Sequence, residues 1–285
     1  MNEDERRRVD EALLYADADY IPKVPDAGKV RLDDKGKRVQ VMHNGLLVAA
    51  DGYYGEFVTQ IIERMKGHHE PQEEKAFHEV LKAVAPGSTM IELGCYWAYY
   101  SLWFQKAVKN ARNFMIEPAK AALECGRRNF QLNGMQGDFT LARIGRTSSP
   151  NWQASAASTA KTEAPTICVQ DFVRAKGIEK LTLLHSDIQG FEYGMLQGCG
   201  DLITGRQIEF VFVSTHNLKV HFQCLKYLTG AGYTIVAEHT PKESYSDDGL
   251  IVAAASPGAV PAVQVSKRPI SMRLKLKTAA FRLLS

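Results

Sequence analysis

The sequence lacks any run approaching the roughly 18–20 uninterrupted apolar residues of a membrane-spanning helix. It also lacks a C-x-x-C pair. Its five cysteines, Cys95, Cys125, Cys168, Cys199 and Cys224, are scattered and odd in number. That excludes a dense disulfide framework and a structural zinc ribbon, and it points to a reducing compartment. The opening MNEDERRRVDEALL carries acids where a signal peptide needs a basic start and an apolar run, so a soluble cytoplasmic protein is expected. No G-x-G-x-x-G occurs, which counts against a nicotinamide-dependent dehydrogenase. Nor is there an excess of one charge: 35 Lys and Arg face 32 Asp and Glu, for a net charge of +3. The basic side chains Lys267, Arg268, Arg273, Lys275, Lys277 and Arg282 crowd into the last 29 residues, where no acid occurs. The remainder is slightly acidic, which argues against a nucleic-acid partner.

What is present fits one sizeable α/β domain with extensions: 285 residues, 45% of them apolar. Residues 1–85 do not follow a nucleotide-fold pattern. Residues 37–49 alternate like paired strands around His43-Asn44-Gly45, whose Asn-Gly step signals a hairpin. Residues 57–65 and 73–84 read as helices, the second with Phe77, Val80, Leu81 and Val84 at helical spacing. This extension is expected either to cap a cleft or to serve as a plain packing layer. From 86 to 256 the elements alternate: strand 89–94, helix 98–109, strand 113–117, helix 119–132 and strand 138–144. A Ser/Ala/Thr-rich loop at 147–161 follows, then a strand at 166–169 and a helix near 171–175. Strand 181–187, helix 191–203, strand 208–214, helix 218–230 and strands 233–238 and 249–255 complete the series. Such alternation predicts a parallel sheet covered on both faces. The last two strands leave no room for a helix between them and predict an antiparallel member at the edge. Residues 257–285 form a basic tail, read as solvated or bound to a second copy, with contact to an anionic membrane surface as the other reading.

The richest stretch is 88–117, STMIELGCYWAYYSLWFQKAVKNARNFMIE. Met90, Ile91 and Leu93 form a short apolar run that ends at Gly94, where the backbone must turn. A helical pattern follows, and residues 114–116 restart a buried strand closed by Glu117. The interval from Gly94 to Glu117 is close to the roughly 20 residues between a glycine turn and a ribose-binding carboxylate in nucleotide-type βαβ units. An ordinary βαβ unit with a chance acid is the alternative reading.

At Glu92-Leu93-Gly94-Cys95-Tyr96-Trp97-Ala98-Tyr99-Tyr100-Ser101 the chain resembles the FkbM-type, S-adenosylmethionine-dependent methyltransferases. Their first motif runs Asp-(apolar)-Gly-Ala-Asn-(apolar)-Gly-(aromatic)-(aromatic)-Ser. Leu183-Leu184-His185-Ser186-Asp187-Ile188-Gln189-Gly190-Phe191-Glu192 resembles their second, built on Lys-Ile-Asp-Val-Glu-Gly-x-Glu. Tyr96 stands for the usual Asn, Ala98 for the second Gly, His185 for Lys and Gln189 for Glu. The resemblance spans about residues 70–256. It implies a seven-stranded, Rossmann-like class I methyltransferase sheet with an N-terminal hairpin and helical extension, and S-adenosylmethionine as cofactor. It implies that Glu117 holds the ribose hydroxyls and that the turn from Gly94 through Tyr96 to Ser101 cradles the methionine part. Glu92 would orient that turn or reach the methionine amino group.

Ligands of doubly wound sheets sit beyond the carboxyl ends of the strands. Asp187 ends one strand, where methyltransferases place a residue facing the transferring methyl. His216 and Asn217 end the neighbouring one. His216 is the candidate general base with Asp187 orienting it; alternatively Asp187, His216 and Asn217 bind a divalent ion. His216 as a helix-capping or core histidine is the bland reading. Glu192 opens a helix, where a carboxylate also favours the dipole, and His185 reads as a buried structural histidine. His68-His69 reads as loop, and Asp247-Asp248-Gly249 as a turn, with Asp248 facing the acceptor pocket as the alternative reading. The absence of an Asn/Asp-Pro-Pro-aromatic tetrad argues against DNA and protein-amide N-methylation. The expected acceptor is a hydroxyl of a sugar, glycan or secondary metabolite. A non-catalytic, cofactor-binding or scaffolding protein, alone or as a homo-oligomer, is the competing class.

Overall fold

A computed structural model of the chain describes residues 1–153, 164–272 and 278. The chain opens with α1 (Glu3–Ala12), closed at its start by a reciprocal Asn2–Glu5 capping box. Sequence reading passed over this helix because only Val9 and Ala12 turn inward. A three-stranded antiparallel sheet follows: β1 (Val30–Leu32), β2 (Arg38–Val41) and β3 (Leu47–Ala49). Gly45, at φ +81°, takes the left-handed step between the last two. The helices α2 (Glu56–Arg64) and α3 (Pro71–Leu81) complete the extension, with Pro71 in the first turn of α3.

The main sheet begins at β4 (Thr89–Leu93), continues through α4 (Tyr99–Ala107) to β5 (Arg112–Glu117), and through α5 (Lys120–Leu132) to β6 (Asp138–Leu141). The strand expected over 138–144 breaks at Ala142. Its end, β7 (Arg143–Ile144), pairs instead with β8 (Thr166–Ile167) in a separate two-stranded parallel ribbon. The loop expected between them falls partly on residues 154–163, outside the described residues. Next come α6 (Val169–Ala175), β9 (Leu181–Ser186), α7 (Glu192–Gly198) and α8 (Asp201–Thr204). A single helix was expected over 191–203; Gly200, at φ +52°, divides it. Then β10 (Ile208–Thr215), α9 (Leu218–Gly230), β11 (Thr234–His239) and β12 (Gly249–Ala254) close the fold.

The seven main strands lie in the order β11-β12-β10-β9-β4-β5-β6. This is the Rossmann-like class I methyltransferase arrangement. The antiparallel member is β12, one place in from the edge rather than at it, because it inserts between β10 and β11. Parallel strands covered on both faces read as near-continuous apolar runs. β4 and β9 are therefore buried along their whole length, paired Met90 with Leu183 and Glu92 with His185. Side chains of alternate parity point to opposite faces. Met90, Leu183, Phe210 and Phe212 pack with the N-terminal extension, α4 and α5. Ile91, Leu184, Val211 and Val213 pack with α6 to α9. The extension thus shares one core with the sheet rather than forming a body of its own.

The C-terminal segment to residue 268 is not a free tail. Val260 is buried, and Val263 donates its N–H to Val236 (2.7 Å). Ser266 bonds to Asp17, and Arg268 pairs with Glu11 of α1 at 3.0 Å. Lys267 pairs with Glu238 at 3.2 Å. The other tail cations, Arg273, Lys275, Lys277 and Arg282, lie outside the described residues.

A buried knot of charge fixes α3 to the loop before it. The Glu74 carboxylate, fully enclosed, accepts from His68 Nδ1, His69 Nδ1 (2.7 Å) and the His69 N–H (3.1 Å). These two histidines, expected as loop, are buried. Burial opposes charge on Glu74, but the two histidines outweigh it and hold the carboxyl well below its usual range. Burial likewise opposes a charged His69, yet Glu70 and Glu74 raise its imidazole to about 10. Glu74 therefore adds stability above its unfolded pKa and loses it as pH falls. His69 adds stability that is complete below about 6.5 and is lost as pH rises toward 10. Glu74→Gln leaves two histidines without their carboxylate and is expected to cost about 3–5 kcal/mol. Urea midpoints of the parent chain are expected to fall on both sides of pH 6, with the alkaline fall reduced in His69→Gln.

Candidate active site

The strand order reverses at β4, which has β5 on one side and β9 on the other. The turn after β4 sits at that switch. Gly94 and Cys95 both donate to Ile116 O, at 2.9 and 3.2 Å, and Asp187 donates to Leu93 O at 2.9 Å. Three of five residues in the turn are left-handed: Gly94 (φ +71°), Tyr96 (φ +40°) and Ala98 (φ +58°). A Cβ on Gly94 would collide with the carbonyl oxygen of Asp187, so the turns after β4 and β9 touch only because that residue is glycine. Tyr96 and Ala98 occupy positions where Asn and Gly adopt this backbone most readily. These are the same two positions at which the motif departs from its usual residues, and the shape of the turn survives the departure.

Glu117 closes β5 and accepts from two backbone N–H groups, Tyr96 to Oε2 (3.2 Å) and Ala119 to Oε1 (2.8 Å). An ionised carboxylate has about four acceptor sites, so each oxygen retains capacity for a ligand. Burial pushes its pKa up against those two bonds. Glu92, one strand across, accepts from the Ser101 N–H at 3.0 Å and so fixes the start of α4. Burial raises its carboxyl to about 7. Ser101 itself stands inside α4, fully buried and off the cleft wall. Its backbone N–H anchors Glu92, whereas the expectation placed Ser101 in the turn around the ligand.

Gly94, Tyr96, Glu92, Glu117, His185 and Asp187 line one cleft of about 340 Å³. Tyr53 and Tyr54 from the extension close it from above, Tyr53 stacked on Trp97 at 4.5 Å. A second cavity of about 260 Å³ lies between α1, α3 and the loop before β12. The two share Tyr53, Tyr54, His69, Glu70, Asp187 and Gln189, and Asp187 marks the junction on the sheet side.

His216 stands behind Asp187. Its Nδ1 meets the wholly buried Glu192 carboxylate at 2.7 Å. Its Nε2 lies 3.2 Å from Asp187 and 3.4 Å from Asp248. Burial works against charge here, yet Asp187, Glu192 and Asp248 together lift the imidazole to about 10. The ring carries its proton at neutral pH and lines neither cavity. A base must be free to accept a proton, so this geometry does not favour the role expected for His216, although it does bring His216 and Asp187 together. Asn217 turns away and caps α9 by accepting from the Val220 N–H at 2.9 Å. The conditional metal set is thus divided, with Asn217 outside it. Among the described residues, the His, Cys, Asp and Glu side chains whose ligand atoms come together within 4.8 Å are His43, His68 and Glu74. Those two rings stack at 4.3 Å with only 16° between planes, so their lone pairs run side by side rather than converging.

Sequence reading missed the contribution of α3. Glu73, on the wall of the second cavity, meets His185 Nε2 at 2.6 Å and the Ser214 hydroxyl at 2.9 Å, two groups on the wall of the first. Glu70 meets the Tyr100 hydroxyl at 3.1 Å. Acids in a first helical turn look like dipole partners, and their true partners are distant in sequence. His185, expected to be a structural histidine, is buried but also on the cleft wall.

A family model of the FkbM methyltransferase domain matches residues 49–235. The chain belongs to the FkbM methyltransferase family. No curated protein matches the sequence. Solved structures with a similar fold include precorrin-6y C5,15-methyltransferase from Geobacter metallireducens, 13% identical over 64% of this chain and 88% of that one, TM-score 0.41. M. capricolum TrmK, in complex with S-adenosyl-homocysteine, is 12% identical over 70% and 73%, TM-score 0.40. Ribosomal protein L11 methylase from Lactobacillus delbrueckii is 11% identical over 71% and 81%, TM-score 0.41. These are distant likenesses. For this FkbM methyltransferase, Gly94→Ala is expected to lose stability by at least the roughly 1–2 kcal/mol of a left-handed alanine. The collision with Asp187 adds to that loss, and the melting temperature is the measurement.

Proposed function

We propose that this chain is an S-adenosylmethionine-dependent O-methyltransferase acting on a hydroxyl of a sugar, glycan or secondary metabolite. The observation that carries the reading is the meeting of two cavities at Asp187. The cleft over β4 and β5 suits the donor. Glu117 offers free lone pairs for the ribose hydroxyls, and the left-handed turn brings backbone close to the rest of the molecule. The residues present fit that group, which supplies an already activated sulfonium methyl. The chain's own task is then to hold an acceptor oxygen in line and to exclude water. Asp187 at the junction, under the lid of Tyr53 and Tyr54, serves both ends.

The second cavity supports a hydroxyl-bearing acceptor. Tyr15, Tyr245 and Ser246 line it, offering rings and hydroxyls, and Asp187 and Asp248 offer acceptors for O–H groups. Five acids line it, Glu70, Glu73, Asp187, Asp247 and Asp248, against Arg8 and His69 on the wall and His216 behind it, so an anionic ligand is disfavoured and a donor of O–H groups fits.

Isothermal titration with S-adenosylmethionine is expected to show binding that Glu117→Ala weakens roughly ten- to a hundredfold, the loss of a charge-assisted hydrogen bond. Unchanged affinity would remove the donor site from this cleft. Methyl transfer from labelled S-adenosylmethionine to a panel of mono- and oligosaccharides is expected to mark a hydroxyl; labelling only at nitrogen would overturn the oxygen acceptor.

A further inference from the structure

We infer that Asp248 is the group that takes the acceptor's proton, and that His216 is a positioning residue holding Asp248 and Asp187 in place. The inference rests on the reading of the second cavity as the acceptor site. Asp248 precedes β12 and lines that cavity but not the donor cleft, whereas Asp187 lines both. His216 lines neither, although its Nε2 is within 3.4 Å of both carboxylates. The imidazolium is thus a fixed cation behind two acids, secured by the buried Glu192 at its far nitrogen. Proton transfer needs the acceptor of the proton to reach the substrate oxygen, and of this group Asp248 is the one whose surroundings are the acceptor cavity alone.

The groups facing Asp248 come from every side: His216 after β10, Asp187 after β9, Glu70 and Glu73 on α3, and Asp247 with its partner Arg8 on α1. Burial raises the Asp248 carboxyl to about 8; His216 opposes the rise and Asp187, Glu70 and Glu73 add to it. Above that pH the carboxylate is free to accept a proton, and it is then a far stronger acceptor than an exposed aspartate. In the reaction the acceptor oxygen bonds to the methyl carbon as the carbon–sulfur bond breaks. That bond's electron pair returns to sulfur, and the hydroxyl proton passes to Asp248 Oδ.

The test uses the full chain, with two readouts. The first is carbon-13 NMR of aspartate carboxyls in the parent, the Asp248 signal being assigned by its loss in Asp248→Asn. The signal is expected to titrate well above the ordinary carboxylate range and to move further up in His216→Gln, which removes the cation. An Asp248 carboxyl that ionises in the ordinary range overturns the inference, whether or not an acceptor is in hand. The second is transfer to the best saccharide of the panel. Asp248→Asn is expected to cut turnover about 10²–10⁴-fold with S-adenosylmethionine affinity unchanged. His216→Gln is expected to shift the acidic limb of the pH–rate profile upward and to recover toward the parent at alkaline pH. Parental turnover in Asp248→Asn, or loss in His216→Gln at every pH, overturns the assignment and returns the base to His216. If the parent binds S-adenosylmethionine but methylates no saccharide, the acceptor reading fails while the titration still judges Asp248.

Discussion

The close approach of two backbone turns, one after β4 and one after β9, is the constraint on which the site depends. Only a hydrogen at the Gly94 side-chain position lets the Asp187 carbonyl come so near. That contact, with the Asp187 N–H bonded to Leu93 O, sets the height of Asp187 relative to the Glu117 carboxylate at the end of β5. The cleft over β4 and β5 and its junction with the second cavity are thereby built from one piece of sheet, and the helices need only cover it.

The N-terminal extension is joined to that sheet by buried histidine–carboxylate contacts as well as by apolar packing. His185 to Glu73 links β9 to α3, and His68 and His69 to Glu74 lock α3 against the segment before it. Buried ion pairs contribute little net stability compared with apolar packing, yet removing one partner is costly. Their effect here is positional: α3 can sit over the cleft in one register, with Glu70 and Glu73 on the cavity walls.

Much of this was legible in the sequence because it rests on local signals. The apolar runs of β4, β9 and β10, the glycine at position 94 and the acid at 117 follow from patterning and spacing. Asp187 and His216 were paired correctly because they end strands that neighbour each other. What was not legible depends on long-range partners. Nothing near Glu73 in the chain announces His185, and nothing near His216 announces Asp248 or the second bond to Glu192 that holds its proton. Ser101 reads as part of the cradle, and its observed contact is the backbone N–H to Glu92: a motif position reports that a residue matters to the turn without saying whether its side chain or its backbone does the holding. The capping box at Asn2 and Glu5 was a readable signal for α1 that weak amphipathicity concealed.

Part of the wall of the second cavity comes from the two ends of the chain. Arg8, Ala12 and Tyr15 belong to the first helix and the loop after it, and residues 245–250 to the last hairpin. The segment through Ser266 and Arg268 ties those ends together. The family match, 49–235, contains the whole cleft over β4 and β5 and the part of the second cavity built by Tyr53, Phe57, Glu73 and Asp187, and it leaves out the terminal part. On the proposed reading of the two cavities, changes in the terminal segments reshape one side of the acceptor cavity and leave the cleft that receives the methyl donor untouched.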